Sequence, residues 1–404
     1  MTASLDALPA WDTAAITAAV QHTAAEAELR SIIARAEELS RTYRGRLAEL
    51  GQDEFELLMA AYQSCVQELQ RGTSYAELAM TIGDREAEAA AALARCDLAW
   101  SKLTEALGFV EPELAAMPAP VAGNHPLLAP DGMLHNFYRR VVATSSTHDE
   151  ATAVLAAMRP CGVDGWQTLA RQLLSRIQVV TPDGVAGIGS AMTKFFEPDR
   201  SVRLQAYRDI THALGGELDL RATVLSMIVL DGLTRAELTG TSWLDETLVS
   251  DQLTMPEVDA LVAGAAAGYP IVHEYYRLKA RLLGQARLDE ADRYAPVGQD
   301  GDRVSWSQAT ETVLAAFDAV HPRCGAAARQ LLAANRIDAA SRPGKGTGFT
   351  KDVPGDLPWI SVNFDGSLRH VLLLAHELGH GVHLLMSAHL PLLAATTPRV
   401  LAET

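Results

Sequence analysis

The chain has 404 residues and carries 34 Lys and Arg against 50 Asp and Glu, a formal net charge of −16 at pH 7. This acidic balance argues against a nucleic-acid or anionic-membrane surface, because binding to phosphate requires an excess of Lys and Arg. Apolar residues make up 48% of the chain and aromatic residues 6%. That composition excludes intrinsic disorder and favours helices over β-sandwiches, so we expect a folded, mainly α protein.

The cysteines and the N-terminus indicate a cytoplasmic protein. The four cysteines are far apart and form no CxxC pair, which predicts neither a disulfide framework nor a thiolate metal site. Residues 1–13 lack the basic and apolar regions of a signal peptide. The uncharged run 260–272 is too short to span a bilayer and contains glycine and proline.

Apolar residues at three- and four-residue spacing predict helices through most of the chain. The predicted segments are 29–50, 53 to about 72, 84–107, 133–143, 148–159, and a series from 198 to about 284. Five prolines between 112 and 132 predict an irregular connection. The glycines and proline within 179–189 favour a domain boundary there, with domains 1–185 and 186–404.

Residues 344–364 depart from this helical pattern. The run 359–364 alternates as a strand does. The preceding glycine-rich stretch GKGTG, 344–348, lacks the frame and the strand-to-helix context of a phosphate-binding loop, which favours a plain surface loop.

The sequence His376-Glu377-Leu378-Gly379-His380 is an HExxH motif. On a helix, residues four apart lie about 6 Å apart in height and close in azimuth, so both imidazoles can reach one metal ion. Glu377 lies beside them and can accept a proton from an attacking water. Gly379 and Gly381 within this apolar helix suggest close packing or substrate approach.

A third ligand must come from outside the motif. Metzincins require Gly at 383 and His at 386, whereas this chain has His383 and Met386. His383 is a geometric competitor, but three imidazoles on one short arc would strain a tetrahedral site, so we expect it to pack beside the site and orient a ligand. No Asp or Glu occurs from 381 to 402, and Glu403 follows on an expected new helix with Thr397 as N-cap and Pro398 as its first residue. Glu403 is the favoured third ligand; the alternative is a solvated surface carboxylate.

The stretch 363–383, NFDGSLRHVLLLAHELGHGVH, resembles the oligoendopeptidase F group of the thimet oligopeptidase (neurolysin-like) family of zinc metallopeptidases. The segments 276–284, 292–296 and 336–338 with Gly344-Lys345 resemble the same group. Weaker similarity at 43–47 and 199–207 extends the resemblance over nearly the whole chain.

The resemblance implies a helical N-terminal domain, 1–185, and a zincin-type catalytic domain, 186–404, with a small β-sheet lining the cleft. It implies a zinc-dependent metalloendopeptidase that binds one Zn²⁺ per chain and hydrolyses internal bonds of short unstructured oligopeptides. It assigns the metal ligands to His376, His380 and Glu403, the general base to Glu377, and substrate-backbone binding to Ser361, Val362 and Asn363. Relatives continue well past position 404, so we expect the catalytic domain to lack its C-terminal part and the 404-residue chain to be weakly active or inactive.

A second hypothesis is a non-catalytic helical peptide-binding or scaffold protein in which HELGH is a relic. Zinc content, and the effect of Glu377→Gln on cleavage, separate the two. A metal-storage module is disfavoured because the histidines lie on an apolar helix and not in an exposed tract.

Overall fold

The structure is a computed structural model that describes residues 8–82, 86–144, 154–155, 158–159, 161–182, 184–298, 303–340, 345 and 348–403. Its backbone contacts divide the chain into two compact units. The first unit combines Met1–Ser145 with Gly301–Thr404, and the second is Ser146–Asp300. No helix within the described ranges combines the length and the apolar composition needed to cross a bilayer.

The fold is mainly α, as the sequence predicts. In chain order the described helices are α1 Thr13–Thr23, α2 Glu26–Tyr43, α3 Gln52–Ile82, α4 Glu86–Leu107, α5 Val110–Ala116, α6 Ala119–Asn124, α7 His135–Thr144, α8 Val163–Ser175, α9 Ile188–Met192, α10 Arg200–Gly215, α11 Leu218–Thr239, α12 Asp245–Ser250, α13 Met255–Leu282, α14 Trp306–Val320, α15 Pro322–Ala333, α16 Leu368–Ser387 and α17 Arg399–Ala402. The strands are β1 Gln178–Thr181, β2 Gly184–Gly187, β3 Ile337–Asp338, β4 Phe349–Lys351 and β5 Trp359–Ser361.

The N-terminal helices of the first unit pack around one apolar core. The predicted stripe on α2 is buried, with Leu29, Ile32, Ile33 and Ala36 facing that core. The helix ends at Tyr43, earlier than the pattern predicts, and Leu47 and Leu50 reach the same core from a 3₁₀ turn and the loop after it.

Gly72 does not end its helix, contrary to the prediction. α3 continues through it to Ile82. A Cβ atom at Gly72 would lie 2.9 Å from the carbonyl oxygen of Thr23, at the end of α1. Glycine is therefore required here by the close approach of two helices.

The proline-rich stretch 112–132 is also more regular than predicted, because it contains α5 and α6. Pro112 lies in the first turn of α5 and Pro118 immediately precedes α6. Proline is tolerated in a first helical turn because its missing N–H has no intrahelical partner there. The predicted helix 148–159 lies mostly outside the described residues.

A three-stranded sheet and three helices form a second core in the first unit. The strand order is β3-β5-β4, with β5 parallel to β3 and antiparallel to β4. Helices α14, α15 and α16 contribute to this core, and Val371, Leu374, Leu378 and Val382 form the buried stripe of α16. The opposite face of α16 is thereby left free for polar side chains.

The second unit contains a β-hairpin where the sequence predicts a domain boundary. β1 and β2 pair antiparallel from Gln178↔Gly187 to Thr181↔Gly184. A division between 185 and 186 would fall inside β2, and it coincides with no limit of either unit. The two domains inferred from sequence stay a prediction.

A buried ion-pair network in the second unit joins α10 to Asp292. Asp292 is fully buried and its carboxylate oxygens accept hydrogen bonds from Arg200 and Arg203, each at 2.9 Å. Burial alone would raise the pKa of Asp292, but the hydrogen bonds from these guanidinium groups and from the backbone N–H of Asp289 outweigh it. The resulting pKa is about 2.

Candidate active site

The HExxH motif lies in the middle of α16, whose start is fixed by its own sequence. The hydroxyl of Ser367 caps the helix by accepting the backbone N–H of His370 at 3.4 Å. Asp365 accepts the N–H of Ser367 at 2.8 Å and lies 2.7 Å from Nδ1 of His370. Although burial raises the pKa of Asp365, hydrogen bonds from Ser367 and Arg303 hold it below its ordinary value. The carboxylate therefore anchors the N-terminal end of α16.

The structure brings His376, His380 and Glu403 together. Nε2 of His376 lies 3.1 Å from Nε2 of His380. Oε2 of Glu403 lies 3.5 Å from the first nitrogen and 3.8 Å from the second. Among the described residues, these three are the one group of His, Cys, Asp and Glu side chains whose ligand atoms lie close enough together, within 4.8 Å of one another, to hold one metal ion.

These distances fit the donor set of a zinc ion. Ligands at about 2.0–2.1 Å in tetrahedral geometry are separated from one another by about 3.3 Å. The observed separations of 3.1, 3.5 and 3.8 Å scatter around that value. Two imidazoles and one carboxylate also match the ligands of catalytic zinc sites, which leave a fourth position open.

Glu377 is held against the neighbouring strand. The residue is only 6% exposed. Oε2 of Glu377 lies 2.9 Å from the hydroxyl of Thr350 on β4. Gly348 approaches the same carboxylate so closely that a Cβ atom there would lie 3.1 Å from Oε1. The strand thus fixes the carboxylate beside the two histidines.

The candidate ligands and Glu377 line one cleft of ≈ 480 Å³ in the first unit. Its lining contains His376, Glu377, His380 and Glu403. Phe349, Thr350 and Asp352 contribute from β4 and the residue after it, and His383 and Thr397 also line the cleft. The pKa of Asp352 is raised, chiefly by burial.

The residues predicted to bind substrate lie at the end of β5, Trp359–Ser361, and immediately after it. Ser361 is 2% exposed and Val362 fully buried, and neither they nor Asn363 line the cleft. β5 is the central strand, and the N–H of Val362 donates to the carbonyl of Asp338 on β3. Its backbone is therefore committed within the sheet, and β4 is the strand beside the cleft.

His383 is not part of the ligand group. Its Nε2 lies 3.0 Å from the hydroxyl of Thr397. Thr397 in turn is not the N-cap of the last helix: α17 begins at Arg399 after Pro398, one residue later than predicted, and Glu403 follows its last residue. No sequence pattern indicated that Thr350 lies at the site, and the sequence placed Gly348 in a plain surface loop and indicated only a capping role for Thr397.

The two glycines of the motif helix have different surroundings. A Cβ at Gly381 would lie 2.8 Å from Leu331 and 2.9 Å from Ile360, so this glycine allows close packing. At Gly379 the nearest atom, on Phe317, would be 3.9 Å away. The prediction of close packing or substrate approach is confirmed as close packing at Gly381.

Comparison with known proteins finds similarity to peptidases. No family model matches the chain. "Oligopeptidase PepF" of Bacillus subtilis (strain 168) is 25% identical over 188 residues, which cover 46% of this chain and 28% of that protein. The crystal structure of oligoendopeptidase-F from Enterococcus faecium aligns with a TM-score of 0.57 at 17% identity, over 76% of this chain and 62% of that one. PZ peptidase A, solved with an inhibitor, aligns with a TM-score of 0.69 at 14% identity, over 90% and 63%.

The chain resembles the oligoendopeptidase F peptidases. At these identities the structural alignments show the shared mainly α fold. The chain spans between about a quarter and a half of the length of the curated relatives that it matches.

Proposed function

We propose that this chain carries the active site of a zinc-dependent metalloendopeptidase that hydrolyses internal peptide bonds of short unstructured oligopeptides. The observation that carries the proposal is the convergence of His376, His380 and Glu403 beside the buried carboxylate of Glu377. The relatives named oligopeptidase and oligoendopeptidase support peptides as the substrate class.

His376, His380 and Glu403 would hold one Zn²⁺ per chain. When bound, the ion supplies a Lewis acid that lowers the pKa of water and polarises a carbonyl group. Glu377 accepts a proton from the attacking water and passes it to the leaving amine as the peptide bond breaks. Thr350 keeps the Glu377 carboxylate oriented for both transfers, because its hydroxyl lies within hydrogen-bond distance of Oε2.

We propose that β4 binds the substrate backbone, and the binding role expected of Ser361, Val362 and Asn363 stays a prediction. β4 is an edge strand of the three-stranded sheet, and Phe349 and Thr350 line the cleft. An edge strand presents backbone N–H and C=O groups with which an extended peptide can pair. This geometry selects peptides that can adopt an extended conformation.

We place this activity in the cytoplasm, in line with the expectation from sequence. Cys65, Cys96, Cys161 and Cys324 are free thiols, which suits a reducing compartment.

The test measures zinc content and cleavage of a quenched-fluorescent oligopeptide in one preparation of the 404-residue chain. Glu377→Gln should lower the cleavage rate by about 10²–10⁴-fold, the usual contribution of a general base, and leave the zinc content unchanged. Glu54→Gln, an exposed carboxylate on α3, is the control and should change neither value. The weak activity expected of this chain stays a prediction.

The alternative, a non-catalytic peptide-binding protein, gives different results. It predicts peptide binding without zinc, and no cleavage that depends on Glu377. Equal cleavage by the wild-type chain and Glu377→Gln would contradict the proposed mechanism.

A further inference from the structure

We propose that His383 and Thr397 form a positioning pair that places Glu403 for zinc binding. This inference rests on the proposed function, since it concerns the third ligand of the same site. The new element is that two residues outside the ligand set, and the hydrogen bond between them, contribute to the zinc affinity of the site.

Glu403 needs an external anchor. It follows α17, which has only four residues, and its side chain is 69% exposed. So short a helix has little stability of its own, because most of its residues make no complete set of intrahelical hydrogen bonds. Nevertheless, Oε2 of Glu403 lies within 4 Å of both ligand histidines. The segment before α17 must therefore be fixed by other contacts.

The first anchor lies far from the ligands. Leu393 and Ala394 pack against the core of the N-terminal helices. The N–H of Leu393 donates to Oε1 of Gln63 on α3 at 3.2 Å. The turn itself is closed by N–H groups of Ala394 and Ala395, which both donate to the carbonyl of Pro391 at 2.9 Å. These contacts secure the connection but leave several residues between it and Glu403.

The second anchor is the bond between His383 and Thr397. His383 lies three residues after His380 on α16, so its side chain projects from the same region of the helix as the ligands. The 3.0 Å separation between its Nε2 and the hydroxyl of Thr397 joins α16 directly to the residue before Pro398.

Fixing Thr397 also fixes the turn that bears Glu403. Pro398 follows at once and restricts the backbone to a φ of about −65°. The N–H groups of Leu401 and Ala402 both donate to the carbonyl of Pro398 at 3.0 Å. Thr397, Pro398 and the first turn of α17 thus form one short rigid piece that ends at Glu403.

The test uses Thr397→Val, which removes the hydroxyl and keeps the shape of the side chain. Zinc affinity is measured by competition with a chromophoric chelator, so the readout does not depend on activity. We expect Thr397→Val to weaken zinc binding about 10–100-fold, the range typical of outer partners that orient metal ligands. Thr397→Ser, which retains the hydroxyl, should bind zinc within about 3-fold of the wild-type chain. Thr396→Val, at the exposed neighbouring threonine, is the matched control and should have no effect.

A double-mutant cycle separates positioning from general damage. If Thr397 acts through Glu403, then Thr397→Val should change zinc affinity less than 2-fold in a Glu403→Ala background. His383→Ala should give the same loss as Thr397→Val, and the two together should give no further loss. His383→Ala also provides the test should Thr397→Val fail to fold.

The failures of the two proposals are distinguishable. Absence of zinc binding by the wild-type chain contradicts the proposed function and this inference with it. Zinc binding that is unchanged in both Thr397→Val and His383→Ala overturns the positioning pair alone. An equal loss in the wild-type and Glu403→Ala backgrounds overturns it as well.

Discussion

The hydroxyl of Thr350 lies 2.9 Å from Oε2 of Glu377 and 2.8 Å from the backbone carbonyl oxygen of the same residue. One side chain on β4 thereby contacts both the backbone and the carboxylate of the proposed general base. The edge strand proposed to bind substrate therefore also holds the carboxylate of the proposed general base.

Thr350→Val should lower kcat for peptide cleavage and leave zinc affinity unchanged. Loss of one hydrogen bond worth about 0.5–1.5 kcal/mol corresponds to roughly a 2–13-fold decrease. Thr350→Ser retains the hydroxyl and should recover most of the rate. A decrease in Thr350→Val that appears entirely in KM would show that Thr350 contributes to substrate binding and not to orientation of Glu377.

Gly381→Ala should destabilise the first unit, since the new Cβ would meet Leu331 and Ile360 at less than 3 Å. Overpacking of this kind costs about 1–3 kcal/mol. Gly379→Ala is the matched control on the same helix, and there the helix propensity of alanine should stabilise by about 0.5–1 kcal/mol. Urea unfolding followed by circular dichroism measures both, and equal effects at the two positions would contradict the packing observed at Gly381.

Asp292→Asn should strongly destabilise the second unit at neutral pH. It removes the charge that pairs with the buried Arg203, and uncompensated buried charges cost about 3–5 kcal/mol. Asp318→Asn, in the exposed pair with Arg329, is the control and should have a much smaller effect. Comparable losses in the two variants would show that the Asp292 network contributes no more than a surface ion pair.

The same network predicts a pH dependence of stability. The folded pKa of Asp292, about 2, lies below its ordinary value of 3.8. The contribution of this carboxylate is therefore complete above pH 3.8 and is lost as the pH falls from 3.8 toward 2. The free energy of unfolding, measured by urea titration across this range, should fall less steeply in Asp292→Asn than in the wild-type chain. Identical slopes would contradict the lowered pKa.

Local sequence patterns predicted the elements whose geometry is set within one helix. The spacing of His376 and His380 fixes their relation on α16, and the apolar stripe of α2 identified its buried face. Glu403 was reached because no other acidic residue follows the motif before it. Each of these inferences needs only the period of a helix and the residue types present.

Relations between distant segments could not be predicted in this way. The alternation in 359–364 identified a strand but not its central position, which depends on pairing with β3 and β4. The resemblance, and not the alternation, implies that Ser361 and Val362 bind substrate, whereas Phe349 and Thr350 of β4 line the cleft. Gly72 likewise suggested a helix end, because the close approach of Thr23 is a tertiary contact.

The most direct test of the central claim is a zinc titration of the 404-residue chain against a chromophoric chelator. We expect one zinc ion per chain. We also expect His376→Ala, His380→Ala and Glu403→Ala each to weaken binding by more than about 100-fold, beyond the 10–100-fold typical of outer partners. His389→Ala, at an exposed histidine just beyond α16, should leave binding unchanged. Absence of stoichiometric zinc, or affinity that is the same in all four variants, would contradict a zinc site formed by His376, His380 and Glu403.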